Sequence, residues 1–154
     1  MLKQWALGLV ALAVASVGMA AGFGAEDAGV YEIVKLQDNK PASLSGIQMR
    51  LHQKNGQWSM EGKDSSIQGA NKGKWLPVCT AANQCSFTTS SPAQLKAMFP
   101  QWAQMSKTDD IGCIQNQIQA FCRLDSKSQK GYTAYMMVVV NAKPPVQMIL
   151  QRQQ

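Results

Sequence analysis

The sequence predicts an antiparallel α+β domain: six to eight short strands, one or two helices, and disulfide staples. Three observations carry this prediction. Several short runs alternate apolar and polar residues, as half-buried strands do. Clusters of Gly, Pro, Asn, Asp and Ser separate those runs. One helical stripe interrupts them, without the regular strand–helix alternation of a parallel wound sheet.

Residues 21–29 are small and read as a flexible leader, followed by a strand over 30–37. Asp38-Asn39-Lys40-Pro41 is a turn cluster. Ile47, Met49 and Leu51 then alternate with Gln48, Arg50 and His52, and beyond Asn55-Gly56 the alternation resumes with Trp58 and Met60. Asn-Gly between alternating runs is a strong signal for a two-residue hairpin. Residues 62–74 are polar and read as a long loop. Residues 75–80 and 85–89 read as two further strands.

Ser91-Pro92 opens a helix, with serine as N-cap and proline at the first helical position. Its apolar stripe is Leu95, Met98, Phe99 and Trp102, and Pro100 ends or kinks it. Residues 109–124 fit two patterns: Ile111, Ile114, Ile118 and Phe121 have helical spacing, whereas Ile118, Ala120, Cys122 and Leu124 alternate. The second half is expected to be a strand. Residues 132–141 form a central strand, Lys143-Pro144-Pro145 breaks it, and a last strand follows from Val146.

The chain of 154 residues carries a net charge of +6, and 16% of its residues are charged. That is enough for one domain, expected over 30–154, with a core of its own. Residues 1–20 read as a secretory signal peptide. Lys3 makes the n-region positive, residues 5–17 are apolar and uncharged, and Gly18 and Ala20 place small residues at the cleavage point. The apolar run is shorter than the roughly 20 residues of a membrane span. The product is expected in the periplasm or outside the cell, with no stable span after cleavage.

Four cysteines, Cys79, Cys85, Cys113 and Cys122, favour disulfides in an exported chain. Zinc usually takes closer pairs, so no metal is expected. Four cysteines allow three pairings, of which two local bridges are favoured. Cys113 and Cys122 would stand about 30 Å apart on one straight strand and about 13 Å apart on one helix. A disulfide needs Cα atoms within about 7 Å. If these two pair, the chain turns between them, near Gln115-Asn116-Gln117.

No catalytic residue set is expected. His52 is the one imidazole, and G-x-S-x-G, H-E-x-x-H and S-x-x-K are all missing. Residues 69–74 fall short of a phosphate loop in spacing, and no cofactor is implied. The lysines are dispersed, mostly in turns, so a nucleic-acid partner is not expected. The residues singled out for partner binding are Lys72, Lys74 and Trp75, and the amides Gln115, Gln117 and Gln119. Trp75 is a candidate interface anchor. The glutamines, with Gln147 and Gln151, suit an uncharged amide face on the sheet.

The expected function is therefore a bacterial, exported, protein-binding inhibitor, such as an immunity protein against a toxin or a cell-wall-degrading enzyme. A structural or accessory subunit of an envelope assembly is the alternative. A carboxylate-dependent hydrolase ranks third. Oligomeric state is left open.

Overall fold

In the computed structural model, residues 22–36, 46–79 and 86–154 are described. The signal peptide expected over 1–20 and Cys85 lie outside them, as does the turn cluster at 38–41. A short 3-10 turn, Ala25–Asp27, leads into β1 (Gly29–Leu36), β2 (Ile47–Lys54), β3 (Gln57–Asp64) and β4 (Leu76–Cys79). A two-residue β5 (Thr88–Thr89) precedes α1 (Pro92–Met98) and α2 (Trp102–Thr108). The chain ends in β6 (Asp109–Gln115), β7 (Gln119–Ser126), β8 (Thr133–Val139) and β9 (Val146–Arg152).

All nine strands join one sheet in the order β4-β3-β2-β1-β9-β8-β7-β6-β5, and the pairings are antiparallel. The α+β class and the two helices agree with the sequence. The strand count does not: there are nine among the described residues, because Asp109–Gln115 is a strand rather than the helical half of an ambiguous segment. Both its faces are covered. Ile111 and Cys113 belong to one core cluster, and Ile114 to the other. Apolar residues on both faces of a strand mimic helical spacing. Asn116 then makes the turn, accepting from the backbone N–H of Ile118 and Gln119 at 2.9 Å each through its side-chain oxygen.

Local chemistry explains the other elements. Asn55 and Gly56 both take positive φ, 52° and 75°, as the two-residue hairpin turn requires. The register of β2 and β3 follows, with Arg50 opposite Glu61 and His52 opposite Ser59. Ser91 accepts from Gln94 N at 3.2 Å, and Gln94 Oε1 accepts from Ser91 N at 2.8 Å. This capping box fixes the start of α1. Pro100 lies in the break between the helices.

The sheet is strongly curled. Five strand spacings separate β3 from β7, about 24 Å if the sheet were flat. Yet Met60 on β3 and Gln119 on β7 touch, with Nε2 to Sδ at 3.6 Å. The inner face encloses the larger core, including Tyr31, Leu51, Trp58, Met60, Phe121 and Met137. The outer face of β6–β8 packs under Leu95, Met98 and Phe99 of the helical segment.

The stretch expected as a loose leader is instead packed. Phe23 is buried beside Trp58 and Tyr135, with ring centroids at 5.4 and 6.3 Å. Asp27 is fully buried. Its Oδ1 accepts from the Tyr135 hydroxyl at 2.8 Å and meets Arg123 Nη1 at 3.3 Å. Tyr31 donates its hydroxyl to the Asp27 carbonyl. These contacts bind the leader across one end of the curl.

Cys113 and Cys122 form a disulfide with Cα atoms 4.1 Å apart. They are direct cross-strand partners on β6 and β7, so the turn the pairing needs is the one at Asn116. Both residues are buried. A disulfide fits an oxidising compartment. The second bridge, Cys79–Cys85, falls outside the described residues. Among the described residues, no helix is long and apolar enough to cross a membrane.

Candidate functional site

The two helices cover the outer face of β6–β8. Among the described residues, no helix lies on the outer face of β1–β3. The alternation of these strands places Glu32, Gln48, Arg50, His52, Glu61 and Lys63 there, in the register of the paired strands. Cross-strand neighbours on one sheet face interact directly. Arg50 donates to Glu61 through Nε at 2.8 Å, and its Nη2 lies 2.7 Å from the same Oε2. His52 Nε2 also reaches that oxygen at 2.8 Å. The His52 hydrogen bond and the Arg50 guanidinium hold the Glu61 carboxyl below its usual range.

Trp75 lies against this face. The Arg50 guanidinium carbon is 4.5 Å from its ring centroid and the Lys63 ammonium 4.9 Å. Both distances are those of cation–π contacts. The indole is half-buried, so it is neither a core residue nor a free one. Two features bring it here. Gly62 pairs with Leu76, so Trp75 enters β4 beside Lys63. The preceding loop is tied back through Gly73 N to Asp64 O at 2.9 Å. Asp64 also accepts from Ser66 N at 2.8 Å and Ser66 Oγ at 2.6 Å.

Lys72 and Lys74 precede this anchor in sequence and are exposed. β4 ends the sheet and exposes Leu76 and Val78, at 39% and 56%. The result is an aromatic plate pinned by two cations, whereas Leu76, opposite Gly62, and Val78, packed beside Gly62, turn to the other side of the sheet.

The amides do not form the single face expected of them. Gln115 ends β6, Gln117 lies in the turn, and Gln119 points inward to Met60. Gln147 is buried, not solvated: it accepts from Gln101 Nε2 at 3.1 Å and donates to Met98 O at 3.2 Å. The reason is that β6 and β7 fold into a hairpin, which breaks the alternation, while the helical segment covers β9 at Gln147. Gln115 and Gln117 do meet in a shallow cleft of about 420 Å³, lined also by Ser86, Thr88, Gln94 and Asn116. Ser90, buried, donates to Gln115 Oε1 at 2.7 Å.

Several of the carboxylates are ion-paired. Asp27 and Asp125 share Arg123, Asp110 meets Lys127 at 3.3 Å, and Glu61 is held as above. Among the described residues, no group of three His, Cys, Asp or Glu is placed to hold a metal ion.

The sequence singled out Trp75, Lys72 and Lys74 but not Arg50 and Lys63, which contact the Trp75 ring, nor Glu61, which holds Arg50. The signal was present. The Asn55-Gly56 turn sets the hairpin register, and that register puts Arg50 opposite Glu61. No family model matches the chain, and neither a curated protein nor a solved structure matches it.

Proposed function

We propose that this chain is an exported binding protein that caps a partner protein, as an inhibitor or an immunity protein against a toxin or wall-degrading enzyme does. The observation that supports this reading is the outer face of β1–β3, over which no helix lies among the described residues, with Trp75 held on Arg50 and Lys63. Trp and Arg are the residue types that dominate binding energy at protein interfaces. A prepositioned indole loses little rotamer freedom on docking. The Cys113–Cys122 disulfide agrees with export.

The test is affinity capture. The oxidised chain from residue 21 onward, tagged at its C-terminus, is incubated with periplasmic and secreted extract, beside a Trp75→Ala variant. Retention of one stoichiometric protein by the parent and its loss by the variant is the expected result. Retention of nothing, or equal retention by both, would count against this face.

An accessory subunit of an envelope assembly is the second reading. The exposed Leu76 and Val78 on the end strand favour it, since exposed apolar strand edges promote association. Light scattering that shows a stable oligomer, with only envelope components captured, would move this reading ahead.

A further inference from the structure

We infer that the cleft of about 420 Å³ between the start of α1 and the β6–β7 turn binds a neutral saccharide, with the side-chain amides of Gln94 and Gln115 donating to its oxygens. The site uses no residue of the Trp75 face and goes beyond the protein-binding reading above.

Strand register brings the lining side chains together. Thr88 pairs with Gln115, and Gln115 shares the face of Cys113, which packs under the helical segment. Gln94 in the first turn of α1 stands over them, and Ser86, Asn116 and Gln117 complete the cleft. Gln94 Oε1 accepts from Ser91 N at 2.8 Å, and Gln115 Oε1 accepts from the Ser90 hydroxyl at 2.7 Å. The Asn116 oxygen is taken by the backbone of its own turn. Internal hydrogen bonds therefore consume the oxygens of these amides. Among the described residues, the NH2 groups of Gln94 and Gln115 have no partner, and each carries two donors. Side chains already held in place lose little freedom when a ligand docks.

The lining selects the ligand. Its volume lies in the range of small-molecule sites. Among the described residues, every side chain that lines it is an amide or a hydroxyl, and none is charged or apolar. An ion placed there would give up water without meeting an opposite charge. A peptide would find no apolar pocket for its side chains, which is where peptide grooves gain specificity. A neutral molecule that accepts and donates hydrogen bonds on every side fits, and a saccharide is such a molecule. The Ser86 and Thr88 hydroxyls, which do both as well, match its own hydroxyls.

The experiment is heteronuclear NMR of the nitrogen-labelled, oxidised protein, titrated with cellotriose, maltotriose and tri-N-acetylchitotriose. The expected result is saturable movement of the Gln94 and Gln115 side-chain NH2 signals with at least one of these sugars. The double variant Gln94→Glu, Gln115→Glu keeps both accepting oxygens, hence the capping box and the Ser90 bond, but has no NH2 donor. It is expected to unfold in urea as the parent does and to bind the sugar about tenfold more weakly or worse, followed through backbone signals of the cleft. The charge-matched double variant Gln53→Glu, Gln129→Glu, at exposed positions outside the cleft, binds as the parent does. So does Trp75→Ala.

Absence of saturable movement with all of the sugars overturns the inference. So does equal weakening in both double variants, which is the mark of a diffuse effect of charge. Tighter binding of trigalacturonate at the same amides overturns it in favour of an anion. Tighter binding of N-acetyl-triglycine amide, which has carbonyls but no hydroxyls, overturns it in favour of a peptide backbone. The two readings fail separately. Sugar binding without any captured protein leaves this inference standing and the proposed function refuted. A protein captured through Trp75, with no sugar bound, does the reverse.

Discussion

Gln119 Nε2 stands 3.6 Å from Met60 Sδ, although four strands lie between their own in the sheet. This contact closes the inner core, because it joins the N-terminal meander to the C-terminal one. Met60 is buried, at 3% exposure, among side chains from both halves. Met60→Ala is expected to cost about 2–5 kcal/mol, since the void is shared and neither half relaxes alone. Gln119→Ala removes only a bond to sulfur, a weak acceptor, and is expected to cost about 1 kcal/mol or less. Urea unfolding of the two variants checks the order.

The leader and the central strands are coupled through tyrosine. Burial, with Tyr135 beside it, pushes the Tyr31 hydroxyl above the ordinary phenol range. Burial and the hydrogen bond to Asp27 push Tyr135 up as well. A raised folded value means the unfolded chain deprotonates first. Stability from this pair is therefore complete below about pH 10, the ordinary phenol value, and is lost as pH rises above it. Tyr31→Phe is expected to flatten the alkaline arm of a thermal-unfolding pH profile. Tyr135→Phe, which leaves Asp27 short of a donor, is expected to cost about 1–3 kcal/mol at neutral pH. An alkaline arm unchanged in both variants would contradict the coupling.

Glu61 acts at the opposite end of the pH scale. Its carboxyl sits below the usual range because of His52 first and Arg50 second. A lowered folded value contributes stability above the unfolded value of about 4.3, and that contribution is lost as pH falls through the folded value. The pair is only partly buried, with side-chain exposures of 33% and 27% for Arg50 and Glu61. Solvent screening keeps its worth below about 1 kcal/mol. Carboxyl NMR titration is expected to place Glu61 low, and Glu61→Gln is expected to loosen Arg50 against Trp75. Quenching of Trp75 fluorescence by acrylamide reads that loosening.

The Cys113–Cys122 bridge closes a loop with a sequence separation of 9. Loop-closure entropy gives it about 2.5–3 kcal/mol. Cys113 and Cys122 are almost wholly buried, at 1% and 0% exposure, beneath Leu95, Met98 and Phe99. Reduction under native conditions is therefore expected to wait for local opening. Alkylation of these thiols after reductant is added should track hydrogen exchange in α1. Immediate labelling would place the bridge at an accessible surface instead.

Much of the fold can be read from short stretches of sequence. Asn55-Gly56 sets a hairpin because two positive φ values suit those residues, and Ser91-Pro92 with Gln94 sets a helix start through a local capping box. Trp75, Lys72 and Lys74 stand out because a large aromatic follows directly on a lysine-bearing loop. Residues 109–115 misled, since burial on both faces erases the alternation that marks a strand. Gln147 misled for a related reason: its polar side chain is buried by the helical segment, where Gln101 and the Met98 carbonyl satisfy it.

Sequence alone determined the antiparallel α+β class, the β2–β3 hairpin and its register, the helix start at Ser91 and the condition that a Cys113–Cys122 bridge needs a turn. Each depends on backbone preferences or hydrogen bonds within a few residues. Tertiary structure alone decided that the sheet curls until Met60 meets Gln119, that Asp27 ties the leader to Tyr135, and that Arg50 and Lys63 hold Trp75 on the outer face of β1–β3. Those contacts join side chains far apart along the chain. They depend on which apolar surfaces the curled sheet buries together, and no local pattern encodes that choice.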